Sequence, residues 1–135
     1  MNAKCTLISQ MYSFKNEQAF KVSYIEHLKS LCLCTVFEVE NEEKEPGFPD
    51  LLCIKENTQE ASFYEIKVAR KGGIFKFEPT QPRFYKAHPE LNIQVIVWDA
   101  EKSAIYTVEA LAAANAALEK GRATPKGIYL NVREI

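Results

Sequence analysis

Three charged residues have the types and spacing of a hydrolytic metal site: Asp50, Glu65 and Lys67. Asp50 follows Pro49, and Glu65 and Lys67 flank Ile66 in a run, ASFYEIKVA, with the β-branched and aromatic content of a strand. Residues two apart in a strand share a face and lie about 6.5 Å apart. Glu65 and Lys67 therefore project together, while Tyr64 and Ile66 face the other way. Two charges on one face of such a strand either reach solvent as an ordinary surface ion pair, worth little energetically, or make a site. Carboxylates beside an ammonium suit a hard divalent ion: magnesium takes one or two protein carboxylates and completes its octahedron with waters and phosphate oxygens. The ion acidifies a bound water and offsets charge on a phosphate under attack. A neighbouring lysine orients that water or stabilises the developing negative charge.

These residues need elements to hold them, and the periodicity supplies candidates. From about Asn16 to Ser30, Phe20, Tyr24, Leu28 and Leu31 recur at helical spacing. LCLCTVFEVE, residues 31–40, reads as a strand, with Glu38 and Glu40 on a polar face and one of them a candidate further ligand. The acidic run over 38–45 and Pro46-Gly47 interrupt it. DLLCI, residues 50–54, is a second strand and residues 61–69 a third. The short polar turn between them predicts an antiparallel hairpin, which brings the Asp50 carboxylate beside Glu65. Lys71-Gly72-Gly73 reads as a flexible turn, and Thr80 as the cap of a helix over 81–88 with Pro82 in its first turn. IQVIVWDA is apolar enough for a strand buried on both faces, anchored by Trp98. AIYTV is a further strand; Thr107 then caps a helix over VEALAAANAALEK, closed by Gly121. GIYLNVREI ends the chain as a strand or an extended tail. Helix, three strands, helix, strand predicts an α/β (α+β) fold with a mixed central sheet flanked by helices, as one domain over 1–135.

Composition narrows the classes. At 47% hydrophobic and 26% charged, the chain is of globular type. It has no long apolar run to cross a membrane and no secretory pattern at its N-terminus, so the expected compartment is the cytoplasm. A formal charge of −1 argues against a free-standing, strongly basic nucleic-acid binder. The charge is unevenly spread, however: Lys67, Arg70, Lys71, Lys76, Arg83 and Lys86 crowd together while 38–45 is acidic. Cys5, Cys32, Cys34 and Cys53 lack the C-x-x-C spacing of a zinc ribbon, and His27 and His88 stand apart from them. They are expected to be buried, reduced thiols. No Ser/His/Asp arrangement and no phosphate-cradling GxxxxGK[ST] loop is visible.

Pro49-Asp50, a gap, and Glu65-Ile66-Lys67 together resemble the signature of the PD-(D/E)XK nuclease superfamily. The context Gly47-Phe48-Pro49-Asp50-Leu51, followed by a Tyr-Glu-Ile-Lys strand, is most similar to its VRR-NUC and archaeal Holliday-junction-resolvase branches. The resemblance covers about residues 14–100. It implies a restriction-endonuclease-like core of order α-β-β-β-α-β. It also implies Mg2+ (or Mn2+) held by Asp50 and Glu65, with Glu17 and the backbone carbonyl of Ile66, and Lys67 acting on the attacking water. Glu17 stands about one turn before Phe20, where the superfamily often places a helix glutamate; the alternative is an exposed first-turn carboxylate favoured by the helix dipole. Glu26 falls on the opposite, solvated face. Gln81 and Tyr85 share a helix face and resemble the Q-x-x-x-Y element of RecB-type nucleases, which positions the site and the nucleic-acid strand. The alternative is an N-terminal helix residue and a core tyrosine. Lys71, Lys76, Arg83 and Lys86 are candidate phosphate contacts or an ordinary solvated basic face. The function implied is magnesium-dependent hydrolysis of duplex or branched DNA, possible forms being junction-resolving or nicking. A homodimer, as symmetric junction cutting requires, or a subunit of a larger DNA-processing complex would carry it. The rival is a non-catalytic nucleic-acid-binding or assembly module that retains the fold.

Overall fold

Strand alternation around Glu65 organises the molecule. The computed structural model describes residues 3–7, 14, 16–31, 34–39 and 45–135. The elements are β1 (Lys4–Leu7), α1 (Glu17–Leu31), β2 (Cys34–Glu38), β3 (Leu51–Lys55), β4 (Ala61–Ala69), β5 (Ile74–Phe77), α2 (Thr80–Ala87), β6 (Ile93–Asp99), β7 (Ala104–Glu109), α3 (Ala110–Lys120), β8 (Arg122–Thr124) and β9 (Gly127–Asn131). Short 3-10 turns occupy Lys71–Gly73 and Val132–Glu134. A six-stranded sheet runs in the order β1-β7-β6-β4-β3-β2, and a three-stranded sheet in the order β5-β9-β8. In the large sheet β4 and β6 pair in parallel and every other pair is antiparallel. Among the described residues the fold is therefore mixed α and β, with a mixed sheet and three helices.

The near-continuous apolar run of β6 is buried on both faces, as expected for a strand with a layer on each side. Ile93, Val95 and Val97 join Phe75, Phe77, Tyr85 and the alanines of α3 on one face. Ile96 and Trp98 join Phe20, Leu28, Leu51 and Ile66 on the other, under α1. Small side chains let α3 approach closely: Ala113 and Ala114 are fully buried. The order α1-β2-β3-β4-α2-β6 is present, with β5 inserted between β4 and α2.

Several boundaries differ from the sequence expectation. The α1 stripe is narrower, because Phe20 and Leu28 are buried while Leu31 is 66% exposed at the helix end. Thr80 is the first helical residue of α2 and caps nothing: Pro79 before it is already in the helical region, not the extended conformation a capping residue adopts. Thr107 is no cap either. It lies inside β7, opposite Lys4 on one side and Ile96 on the other. The inward alternation of Ala104, Tyr106 and Val108 keeps the chain in the sheet through Glu109, so the helix starts at Ala110. It does end at Lys120, before Gly121. The second sheet, β1, β5 and β8 were not anticipated.

The cysteines divide. Cys53 is buried, Cys34 half-buried, and Cys5 is exposed on the edge strand β1. Cys32 and Glu40 lie outside the described residues. Trp98 is the expected core anchor, 1% exposed. Among the described residues no helix is long and apolar enough to cross a membrane.

Candidate metal-dependent active site

The hairpin of β3 and β4 pairs Leu51 with Tyr64, so the preceding residue, Asp50, stands opposite Glu65. The Ile66 amide donates to Asp50 Oδ2 at 3.3 Å, which fixes that carboxylate against the strand carrying Glu65 and Lys67. Ile66 itself turns its side chain into the α1 face and is fully buried, leaving its backbone to pass between the two charges. Glu65 and Lys67 are 2% and 8% exposed. Charges so enclosed persist only when paired or bound. Lys67 Nζ lies 3.8 Å from Glu65 Oε2, donates to Gln81 Oε1 at 2.9 Å, and sits 5.4 Å from the centre of the Phe77 ring. Gln81 Oε1 also accepts the Glu78 amide at 2.9 Å. One side-chain carbonyl thus serves an orphan amide ahead of α2 and the buried ammonium together.

Above this floor opens a cleft of about 690 Å³, lined also by Glu17, Arg70, Lys76 and Tyr129. Glu17 is exposed in area because the cleft is open, yet surrounding protein still desolvates it. Burial raises its carboxyl above the ordinary glutamate value, Lys67 pulls it back, and Asp50 raises it further. Glu17 and Asp50 therefore repel each other across the cleft. Gly47 delivers the Pro49-Asp50 segment with a φ of +91°, and a β-carbon there would strike the Thr80 carbonyl and approach Phe84 Cβ to 2.8 Å. Only glycine accommodates both demands.

The expected nucleic-acid contacts separate. Tyr85 is 1% exposed, its ring 5.9 Å from Phe77, so it offers no face to a base; its position is that of a core tyrosine. Its hydroxyl is buried without a hydrogen-bond partner among the described residues. Burial, then Glu65 and Asp50, raise that phenol well above its usual range. Lys76 lines the cleft, 3.3 Å from Glu78. Lys71, Arg83 and Lys86 are exposed and do not line it. Arg70 and Tyr129 were missed: Arg70 stood in the basic cluster without a distinguishing pattern, and Tyr129 arrives through the unanticipated second sheet.

No protein-family model, curated protein or solved structure matches the chain.

The donor chemistry is therefore judged from the residues alone. Among the described residues no three His, Cys, Asp or Glu side chains form a closed metal cage. Magnesium asks for less: one or two carboxylates, with water and phosphate completing the shell. Asp50 and Glu65 could supply two, on one face of paired strands, and a bound divalent cation would relieve the mutual repulsion of Asp50 and Glu17. The residues fit such an ion.

Proposed function

We propose that the chain is a magnesium- or manganese-dependent nuclease with a restriction-endonuclease-like core, hydrolysing DNA phosphodiester bonds. The observation that carries this reading is a lysine buried to 8% exposure, held by Gln81 and Glu65 at the base of an open cleft, with Asp50 beside it. The order of elements around β4 and the Pro49-Asp50, Glu65-Ile66-Lys67 pattern support the PD-(D/E)XK assignment.

Asp50 and Glu65 would hold the ion, aided by Glu17 and the Ile66 carbonyl, and the ion would supply charge neutralisation and water activation. The chain's own groups do the rest. The Ile66 amide fixes Asp50. Gln81 fixes the Lys67 ammonium, which stabilises negative charge developing on the phosphate. Glu65, with its burial and its lysine neighbour, stays oriented into the cleft. A formal charge of −1 favours work within a larger DNA-processing complex over tight independent binding.

The test is a panel of duplex, nicked, branched and single-stranded DNA incubated with magnesium, manganese or a chelator. Wild type is expected to cleave in metal only, and Asp50→Asn and Lys67→Met to be folded and inactive. Undiminished cleavage by either variant sinks the assignment. Metal-independent DNA binding with no cleavage of any substrate favours a non-catalytic module instead.

A further inference from the structure

The second sheet places three side chains in one row beside the cleft. Lys76 on β5 is the direct antiparallel partner of Tyr129 on β9, and Tyr129 is the direct partner of Arg122 on β8. Directly opposed residues share a sheet face, so the row reads cation, aromatic, cation. With strands about 4.8 Å apart it spans roughly 10 Å. The opposite face is the apolar one: Phe75, Phe77 and Leu130 are buried in the core. Lys76 and Tyr129 line the same cleft as Asp50, Glu65 and Lys67. The Arg122 guanidinium lies over the Tyr129 ring, 5.1 Å from its centre, within cation–π range, and so covers one face of the ring and leaves the other as the stacking face. Tyr129 is half-buried and Arg122 exposed. Glu78 is paired with Lys76 and moderates the charge at the cleft end, leaving Arg122 as the row's outer cation.

An intact duplex keeps its bases stacked inside and has no use for an aromatic face at this position. An unpaired strand does: every base has a π-face to stack, and cations alongside follow its phosphates. We propose that the Lys76–Tyr129–Arg122 row is a subsite for single-stranded DNA continuous with the cleft. The favoured substrates then carry unpaired nucleotides next to the cleaved bond. This rests on the nuclease reading, but it is tested by binding, not cleavage.

The experiment measures fluorescence anisotropy of a labelled twelve-nucleotide oligothymidine and of a blunt duplex, in chelator, with the full chain. Wild type is expected to bind the single strand. Tyr129→Leu weakens that binding about tenfold or more, within the range for loss of one stacked base, and leaves the duplex unchanged; Tyr129→Phe, which keeps the ring, binds like wild type. Arg122→Ala weakens single-strand binding and lowers its salt dependence. Circular dichroism confirms that each variant is folded. The subsite is overturned by a wild type that does not bind oligothymidine, by Tyr129→Leu binding as wild type, or by equal losses on single strand and duplex. Single-strand binding through Tyr129 in a protein that cleaves nothing in magnesium removes the nuclease reading while leaving the subsite standing.

Discussion

Lys67 Nζ and Gln81 Oε1 lie 2.9 Å apart, and the same oxygen receives the Glu78 amide. Positioning of the lysine and initiation of α2 therefore depend on one side chain. Gln81→Ala is expected to lower stability by about 1–3 kcal/mol, the range for a buried polar group left without its partner, read by urea unfolding. It should also reduce metal-dependent cleavage about 10–100-fold, as for losses of residues that orient a site. Gln81→Glu keeps an acceptor and should recover most of the stability.

Metal removal gives a second prediction. If Asp50 and Glu65 hold the ion, saturating manganese at a hundredfold excess over its dissociation constant stabilises the wild type by about 2.7 kcal/mol. Asp50→Asn and Glu65→Gln should each lose that increment and the calorimetric binding signal. A full manganese-dependent rise in the melting temperature of Glu65→Gln rejects this ligand set.

Glu17 makes stability depend on pH in the direction opposite to a salt-bridged carboxylate. Its folded value is raised, chiefly by desolvation, so the native state binds the proton more tightly than the unfolded chain. That contribution is present below the ordinary glutamate value and is lost as pH rises through the interval up to the raised value. Metal-free Glu17→Gln should therefore be more stable than wild type at neutral pH and equal to it in acid. With magnesium the order should narrow or reverse. Denaturant midpoints across pH, with and without the ion, decide the matter.

Gly47 is strained for any other residue and pressed against α2. Gly47→Ala is expected to cost more than about 1 kcal/mol and to displace the segment ending in Asp50. Unfolding midpoints test the first part, and manganese affinity the second.

Asp99 is fully buried at the end of β6, held by Arg133 at 2.8 and 3.1 Å, and Arg133 also reaches Glu101 at 3.0 Å. Its hydrogen bond to Asp99, first, and then that to Glu101 raise the guanidinium above its ordinary value. Arg133→Ala leaves a buried carboxylate without its cation, a costly state. Its melting temperature should fall well below that of Glu101→Ala, which loses only an exposed partner.

The charged floor was legible because it is local. Alternation put Glu65 and Lys67 on one face, and a short turn put Asp50 beside them; the register of β3 and β4 bears this out. Gln81 is singled out by the resemblance of Gln81 and Tyr85 to a Q-x-x-x-Y element, and in the structure its side chain holds Lys67. Tyr85 shows the limit of spacing: a helix face is known from sequence, but whether it meets solvent or core is decided by packing, here against Phe77. The second sheet was hidden because β5 and β8 are only four and three residues long, too short for a period to declare itself. With it went Tyr129. Thr107 misled because a threonine before an alanine-rich helix suits a cap and a strand equally, and the buried alternation of β7 prevailed.

Asp50, Glu65, Lys67, Lys76 and Gln81 come from one uninterrupted stretch of chain, a hairpin, the strand β5 and a helix, whereas Tyr129 is far downstream. Closure entropy grows with the length of chain enclosed, so the floor's contacts form at short range, while the pairing of β5 with β9 closes a far longer loop. During synthesis, these residues therefore leave the ribosome before Tyr129. The Lys76–Tyr129–Arg122 row therefore joins chain made early to chain made late.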